Sequence, residues 1–259
     1  DAKDWAQKIA AQFGKLEGLD IAQLAHIAPE EEQATYELAE VLVSENRAPN
    51  DDELKLLRHR PKAVDIALFG RMLASSTQHN VEAAAQVAHA ISVNAVKIED
   101  DFFTAVDDLN KHEEDAGAGH MGDASFGSGI FYQYICINKT ALVENLQNDE
   151  ALANKAIKAL TETAAKVAPT GKQNSFASRA YTSCLLAEKG SQQPRALSVA
   201  FLKAVRSGDP MNEAISALTG QRDNFEKVYG KCADESKLMN AQDPDQSASF
   251  EDVLNFVVT

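Results

Sequence analysis

Trp5, Ile9 and Phe13 recur every fourth residue, which predicts a helix with one apolar face. Gly14 and Gly18 bracket a turn after it. Pro29 sits at a first helical position, with Glu30, Glu31 and Glu32 at the positive end of the helix dipole. Tyr36, Ala39, Leu42 and Val43 continue that helix. Asn50-Asp51-Asp52 offers a cap for a short third helix, ended by Pro61. The texture then changes. "VDIALFG" from Val64 is a compact apolar run closed by glycine, which reads as a buried strand. Asn80 is placed to cap a helix in the alanine-rich "VEAAAQVAHA", and "ISVNAV" reads as extended.

"GIFYQYICINKT" carries the strongest strand signal, being rich in Tyr, Phe and Ile. "NDEALANKAIKALTETAAKVA" predicts an amphipathic helix capped by Asn148 or Asp149 and stopped by Pro169-Thr170-Gly171. "RAYTSCLLAE" reads as a strand, and helices follow at 196–206 and 210–229, with Pro210 near the start of the second. The order strand, long excursion, strand, helix, strand, helix indicates an α+β fold. The crossover from 130 to 188 is half of a ferredoxin-like sheet. The other half requires a strand and a helix before residue 1. No internal repeat or low-complexity tract interrupts the pattern.

The excursion is "DDFFTAVDDLNKHEEDAGAGHMGDASFGSG", residues 100–129. Two adjacent aromatics sit in an acidic run, and five glycines fall between 117 and 129. Excursions longer than about 15 residues are usually functional or disordered, and this one reads as a protruding hairpin. Phe103 and Met121 then lie on its two arms. Either the apolar side chains fold back as a minor core, or they project to wedge against or stack on nucleic-acid bases.

Composition narrows the choices. The chain has 259 residues and 44% apolar content, ample for a core without staples. The run of about 18 apolar residues that a membrane span needs is absent. Cys136, Cys184 and Cys232 form no CxxC pair and are an odd number for a disulfide framework, which fits a reduced, cytoplasmic setting. Two of them lie in apolar runs, as small core residues do. The formal charge of −14 argues against simple phosphate binding, but the charge is segregated. Lys55, Arg58, Arg60, Lys62 and Arg71 share their stretch with one acid, Asp65. Glu99 to Asp115 holds eight acids and one lysine.

Candidate chemistry is sparse. His112, Glu113, Glu114, Asp115 and His120 are possible metal ligands, and a metal-dependent hydrolase using the 99–120 carboxylates is the alternative reading. Their spacing matches no calcium loop or zinc motif. GxSxG, a P-loop and a strand-borne GxGxxG are all missing. The basic cluster at 55–62 and the loop "GKQN" at 171–174, with Lys172 and Gln173, are possible phosphate contacts. A helical interaction scaffold is a third reading.

"VDIALFGRM" (64–72), "AAQVAHAISVNAV" (84–96), "DDFFTAVDDL" (100–109), "GAGHMGDASFGSGIFYQYICIN" (117–138) and "ALVENL" (141–146) occur in this order. Together they resemble the CasC-type backbone subunit of type I-E CRISPR Cascade, the Cse4 family. The likeness is dense from Val64 to Leu146, moderate to about Val205 and weak elsewhere.

The resemblance implies a modified ferredoxin-like (RRM-like) palm, a helical fingers insertion and a thumb hairpin. It implies fingers over 1–62, a connection with strands over 63–96, a thumb over 97–129, and palm with C-terminal helices over 130–259. Such subunits stack along CRISPR RNA in antiviral defence, displace a nucleotide at regular intervals, let target DNA pair with the guide, and have no catalytic role. Their partners are the guide RNA, the target strand, further copies and other Cascade subunits. They need no cofactor and meet no membrane.

Residue by residue, the resemblance places Phe103, with Phe102 beside it, at the displaced nucleotide. Met121, following His120, falls at the thumb position. Met72 supports the kinked RNA, with Arg71 near phosphate and Thr104 near backbone. Lys55, Arg58 and Arg60 in the fingers face target duplex, and the loop residues Lys172 and Gln173, read above as phosphate contacts, are added to the expected RNA-binding set. Family members begin with a palm strand, a basic loop and a helix that are absent from this stretch. The expectation is that these 259 residues alone bind RNA poorly and that the upstream segment restores binding.

Overall fold

A computed structural model describes residues 2–105, 120–206 and 208–259; for Thr104, Ala105, His120 and Met121 it describes the backbone alone. Helices and small antiparallel strand pairs alternate. The elements in chain order are α1 (Ala2–Ala10), β1 (Leu16–Glu17), β2 (Asp20–Ile21), α2 (Pro29–Glu45), α3 (Val64–Phe69), β3 (Ala85–Val87), β4 (Ile91–Ser92) and β5 (Ile98–Ala105). There follow β6 (His120–Gly127), β7 (Phe131–Tyr132), β8 (Ile135–Ile137), α4 (Lys139–Asn145), α5 (Glu150–Lys166), α6 (Gln173–Phe176) and β9 (Cys184–Lys189). The last are α7 (Pro210–Tyr229), β10 (Glu235–Asn240) and α8 (Phe250–Phe256). Among the described residues the strands pair two by two: β1 with β2, β3 with β8, β4 with β7, β5 with β6, and β9 with β10.

The chain divides into two units. The first comprises Asp1–Val87, Ile135–Lys189 and Glu235–Thr259. Its main core joins α3, β3, α4 and α5 through Ala67, Leu68, Ala85, Leu142, Leu146 and Ile157. Ile9, Phe13, Leu38, Leu42 and Leu56 form a second core under α1 and α2. The second unit comprises Ala88–Tyr134 and Gly190–Asp234. Its core is Val93, Phe201, Val205 and Ala214. The Tyr132 ring packs 5.3 Å from Phe201 between centroids, and its hydroxyl accepts the Leu197 N–H at 3.0 Å.

Several elements follow the sequence pattern. Pro29 opens α2, Asp149 caps α5 by accepting the Leu152 N–H, and Pro210 opens α7. Other expectations are corrected. "VDIALF" is a helix, not a strand: Val64, Ala67 and Leu68 face the main core while Ile66 faces Ala28, Ala63 and Val81. Burial on two sides erases the polar stripe that marks an amphipathic helix. The alanine run is extended at β3, against its helix propensity. Ala84 and Ala85 are buried in the main core, where small side chains admit close packing. Asn80 caps no helix; its Oδ1 accepts the Leu73 N–H at 2.7 Å.

The segment after Asn50 makes turns rather than a helix, and the predicted helix at 196–206 is a single 3-10 turn, Ser198–Phe201. "GIFYQYICIN" splits into β7 and β8, which pair with different strands. Cys136 and Cys184, expected in the core, are half-buried, and burial raises the Cys184 thiol pKa.

Candidate nucleic-acid interface

The excursion forms the longest strand pair. β5 and β6 run antiparallel in an unbroken register from Ile98 opposite Gly127 to Ala105 opposite His120. Ser125 Oγ donates to Asp100 Oδ1 at 2.7 Å across that register. Phe102 and Phe103 are consecutive in β5, so they leave opposite faces of the pair. They are 64% and 44% exposed. Phe102 is in register with Asp123, Phe103 with Gly122, and Thr104 with Met121. The candidate residues Phe103 and Met121 therefore occupy facing arms at neighbouring register positions. The acids and histidine at 107–115 lie outside the described residues. Among the described residues, no group of three or more His, Cys, Asp and Glu is arranged to hold a metal ion.

The first unit contributes a separate feature around Arg71 and Met72. Met72 is 82% exposed, as a contact residue must be. Arg71 is the opposite: its side chain is fully buried. Its Nη1 donates to both carboxylate oxygens of Glu31, at 3.0 and 2.7 Å. Its Nη2 donates to the Arg58 carbonyl at 2.7 Å and its Nε to the His79 carbonyl at 3.1 Å. The expected approach of Arg71 to phosphate is corrected: the guanidinium spends its donors inside the protein.

Glu31 was legible only as one of three acids opening α2. Its N3 position hints at the 2.9 Å bond it accepts from the Ala28 N–H. No local signal points across the 40 residues to Arg71.

The basic stretch is surface-exposed but partly occupied. Lys55 pairs with Asp52 at 2.6 Å, and Arg60 Nη1 donates to the Glu144 carbonyl at 3.3 Å. Lys62 Nζ reaches Asp149 at 3.1 Å. The Asp149 carboxyl pKa is lowered, first by the Leu152 N–H and then by Lys62. Arg58 is exposed, while its backbone N–H donates to Glu31 Oε1 at 2.7 Å. Nearby, Glu53 is held at about 2 by its hydrogen bonds from Arg47 and the Asn50 N–H.

In the "GKQN" loop, Lys172 is exposed with a left-handed backbone at φ 58°. The Gln173 amide instead donates to the Pro169 and Ser178 carbonyls. It closes its own loop through these two bonds. No described helix is long and apolar enough to cross a membrane.

The described residues thus bring together exposed apolar side chains on a long strand pair, and separately an exposed methionine and an exposed basic stretch. The sequence matches the CT1975-like protein family, Cas_CT1975, over residues 2–255, and the chain belongs to that family. No curated protein sequence matches it. It is similar in structure to a chain of a "CRISPR RNA-guided surveillance complex, pre-nicking", with a TM-score of 0.75 and 25% identity over 99% of this chain and 76% of that one. A chain from another "CRISPR RNA-guided surveillance complex" matches with a TM-score of 0.63 and 26% identity, over 90% of this chain and 85% of that one.

Proposed function

We propose that this chain is a non-catalytic backbone subunit of a CRISPR surveillance complex of the CasC type, type I-E. Copies of it line up along the guide RNA with other Cascade subunits in the cytoplasm. In this reading the first unit belongs to a ferredoxin-like palm with helical fingers at its start, and β5 and β6 are the thumb. The thumb displaces one nucleotide per subunit and leaves the intervening bases free to pair with target DNA.

The observation that carries this reading is the pair of half-to-mostly exposed phenylalanines on opposite faces of one long hairpin. A two-sided apolar blade suits entry between two bases, each of which presents an apolar face. Met72 offers a further apolar surface, and Lys172, Arg58 and Arg60 offer charge for phosphates. Reading any guide requires contacts indifferent to base identity, and stacking meets that need.

The test is assembly on single-stranded RNA by the full-length protein, followed by electron microscopy and filter binding at fixed salt. Stacking on one base is worth about 1–3 kcal/mol, so Phe103→Ala with Met121→Ala should weaken binding by roughly 10- to 100-fold while the circular dichroism spectrum stays unchanged. Normal filaments from a folded double variant would refute the reading.

A further inference from the structure

Met72 is mostly exposed, yet the backbone that carries it is fixed on both sides. Arg71 N–H and C=O both pair with Val81, each at 2.9 Å. Leu73 N–H donates to Asn80 Oδ1 at 2.7 Å. Gly70, at φ 81°, brings its backbone so close that a Cβ would sit 2.9 Å from the Val81 carbonyl oxygen. Beneath this segment lies the buried Glu31–Arg71 pair. It gathers the Ala28 N–H, the Arg58 N–H, the Arg58 carbonyl and the His79 carbonyl around two side chains. Three stretches of chain far apart in sequence therefore meet on one ion pair.

Stability alone is a weak reason for such a pair. Desolvation offsets most of the attraction, and well-packed apolar replacements of both partners are often neutral or stabilising. What apolar side chains lack is direction: they cannot hold four named backbone groups at fixed angles.

We infer that the Glu31–Arg71 pair is a positioning device that holds the 58 and 70–73 segments in register and so presents Met72 to its partner. Arg71 and Glu31 touch no nucleotide; they act through Met72. The inference rests on the reading of Met72 as an RNA contact.

The test replaces both partners, Glu31→Leu with Arg71→Met, in the full-length protein, alongside Met72→Ala and the triple variant. The readouts are melting temperature, amide hydrogen exchange at residues 71–73, and binding to a labelled single-stranded RNA of mixed sequence. The expected result is a lower melting point, because four backbone groups lose their partners, exchange protection at positions 71 and 73 lost by more than the fall in global stability accounts for, and binding about tenfold weaker, the scale of one methionine contact. Adding Met72→Ala to the double variant should then change nothing further.

Retained exchange protection, or unchanged binding in the double variant while Met72→Ala weakens it, overturns the inference and leaves the RNA reading intact. Unchanged binding by Met72→Ala removes Met72 from the interface instead. The exchange data then decide positioning alone: lost protection supports it and retained protection overturns it. Should the double variant fail to fold, Arg71→Lys keeps the charge on Glu31 but loses the fork to Arg58 and His79. The same readouts then apply with the same meanings.

Discussion

The Phe103 ring lies directly over Gly122. A Cβ built at Gly122 would sit 2.7 Å from Phe103 Cζ and 3.1 Å from Cε1. The two residues are register partners across β5 and β6, so the ring covers bare backbone on the opposite arm. That cover leaves Phe103 44% exposed where its neighbour Phe102 is 64% exposed.

Gly122→Ala should therefore act on the ring more than on the fold. Alanine is favoured over glycine in a strand by roughly 0.5–1 kcal/mol, so global stability should hold or rise slightly. The Phe103 ring must swing away, and RNA assembly should weaken toward that of Phe103→Ala. Filter binding and thermal melting on the same samples separate the two effects. Wild-type binding by Gly122→Ala would show that the ring's placement is irrelevant.

Asn145, at the end of α4, is a buried polar link in the main core. Its Nδ2 donates to the Ala67 carbonyl at 3.0 Å and the Glu82 carbonyl at 2.8 Å. Asn145→Ala strands the buried Ala67 carbonyl without its partner and should cost about 1–3 kcal/mol in urea denaturation.

Lys172 and Gln173 are neighbours with different duties, and salt distinguishes them. Lys172→Ala should lower RNA affinity evenly across sequences and reduce the salt slope by about 0.7. Gln173→Ala removes the bonds to Pro169 and Ser178 but no charge, so the slope should stay put. Binding measured from low to moderate salt reports both.

Acid should destabilise the protein through named carboxylates. Glu53 falls from an ordinary 4.5 to about 2 beside Arg47. The cap residues Asp209 and Asp252 are likewise lowered, by Asn212 and Ser249 respectively, as Asp149 is by Leu152. A group held below its unfolded pKa stabilises the fold above that unfolded value. The gain disappears as pH drops through the folded one. The melting temperature should thus be level near neutrality and fall from about pH 4.5 toward 2. Glu53→Gln should lower it at neutral pH and flatten part of that fall.

Local signals served well where one residue acts on its near neighbours. Pro29 and Pro210 mark helix starts because proline lacks the N–H that a first turn leaves unpaired. Asp149 caps α5 through a residue three positions on. The length of the excursion and its glycines made the hairpin legible, but not whether Phe102 and Phe103 fold back or stay exposed. The resemblance in the quoted motifs led to the same class of assembly as the solved structures.

The sequence by itself determined the elements with one-sided burial or a local cap, and the hairpin whose two arms lie close along the chain. Only the tertiary structure decided that "VDIALF" coils, since burial from two sides hides its periodicity, and that "AQV" extends, since Ala84 and Ala85 pack into the main core against their helix propensity. It alone decided that Arg71 turns inward to Glu31 while Met72 faces out. The physical reason is distance: the partner that turns a surface cation into a buried one lies 40 residues away, and desolvation depends on what is near in space.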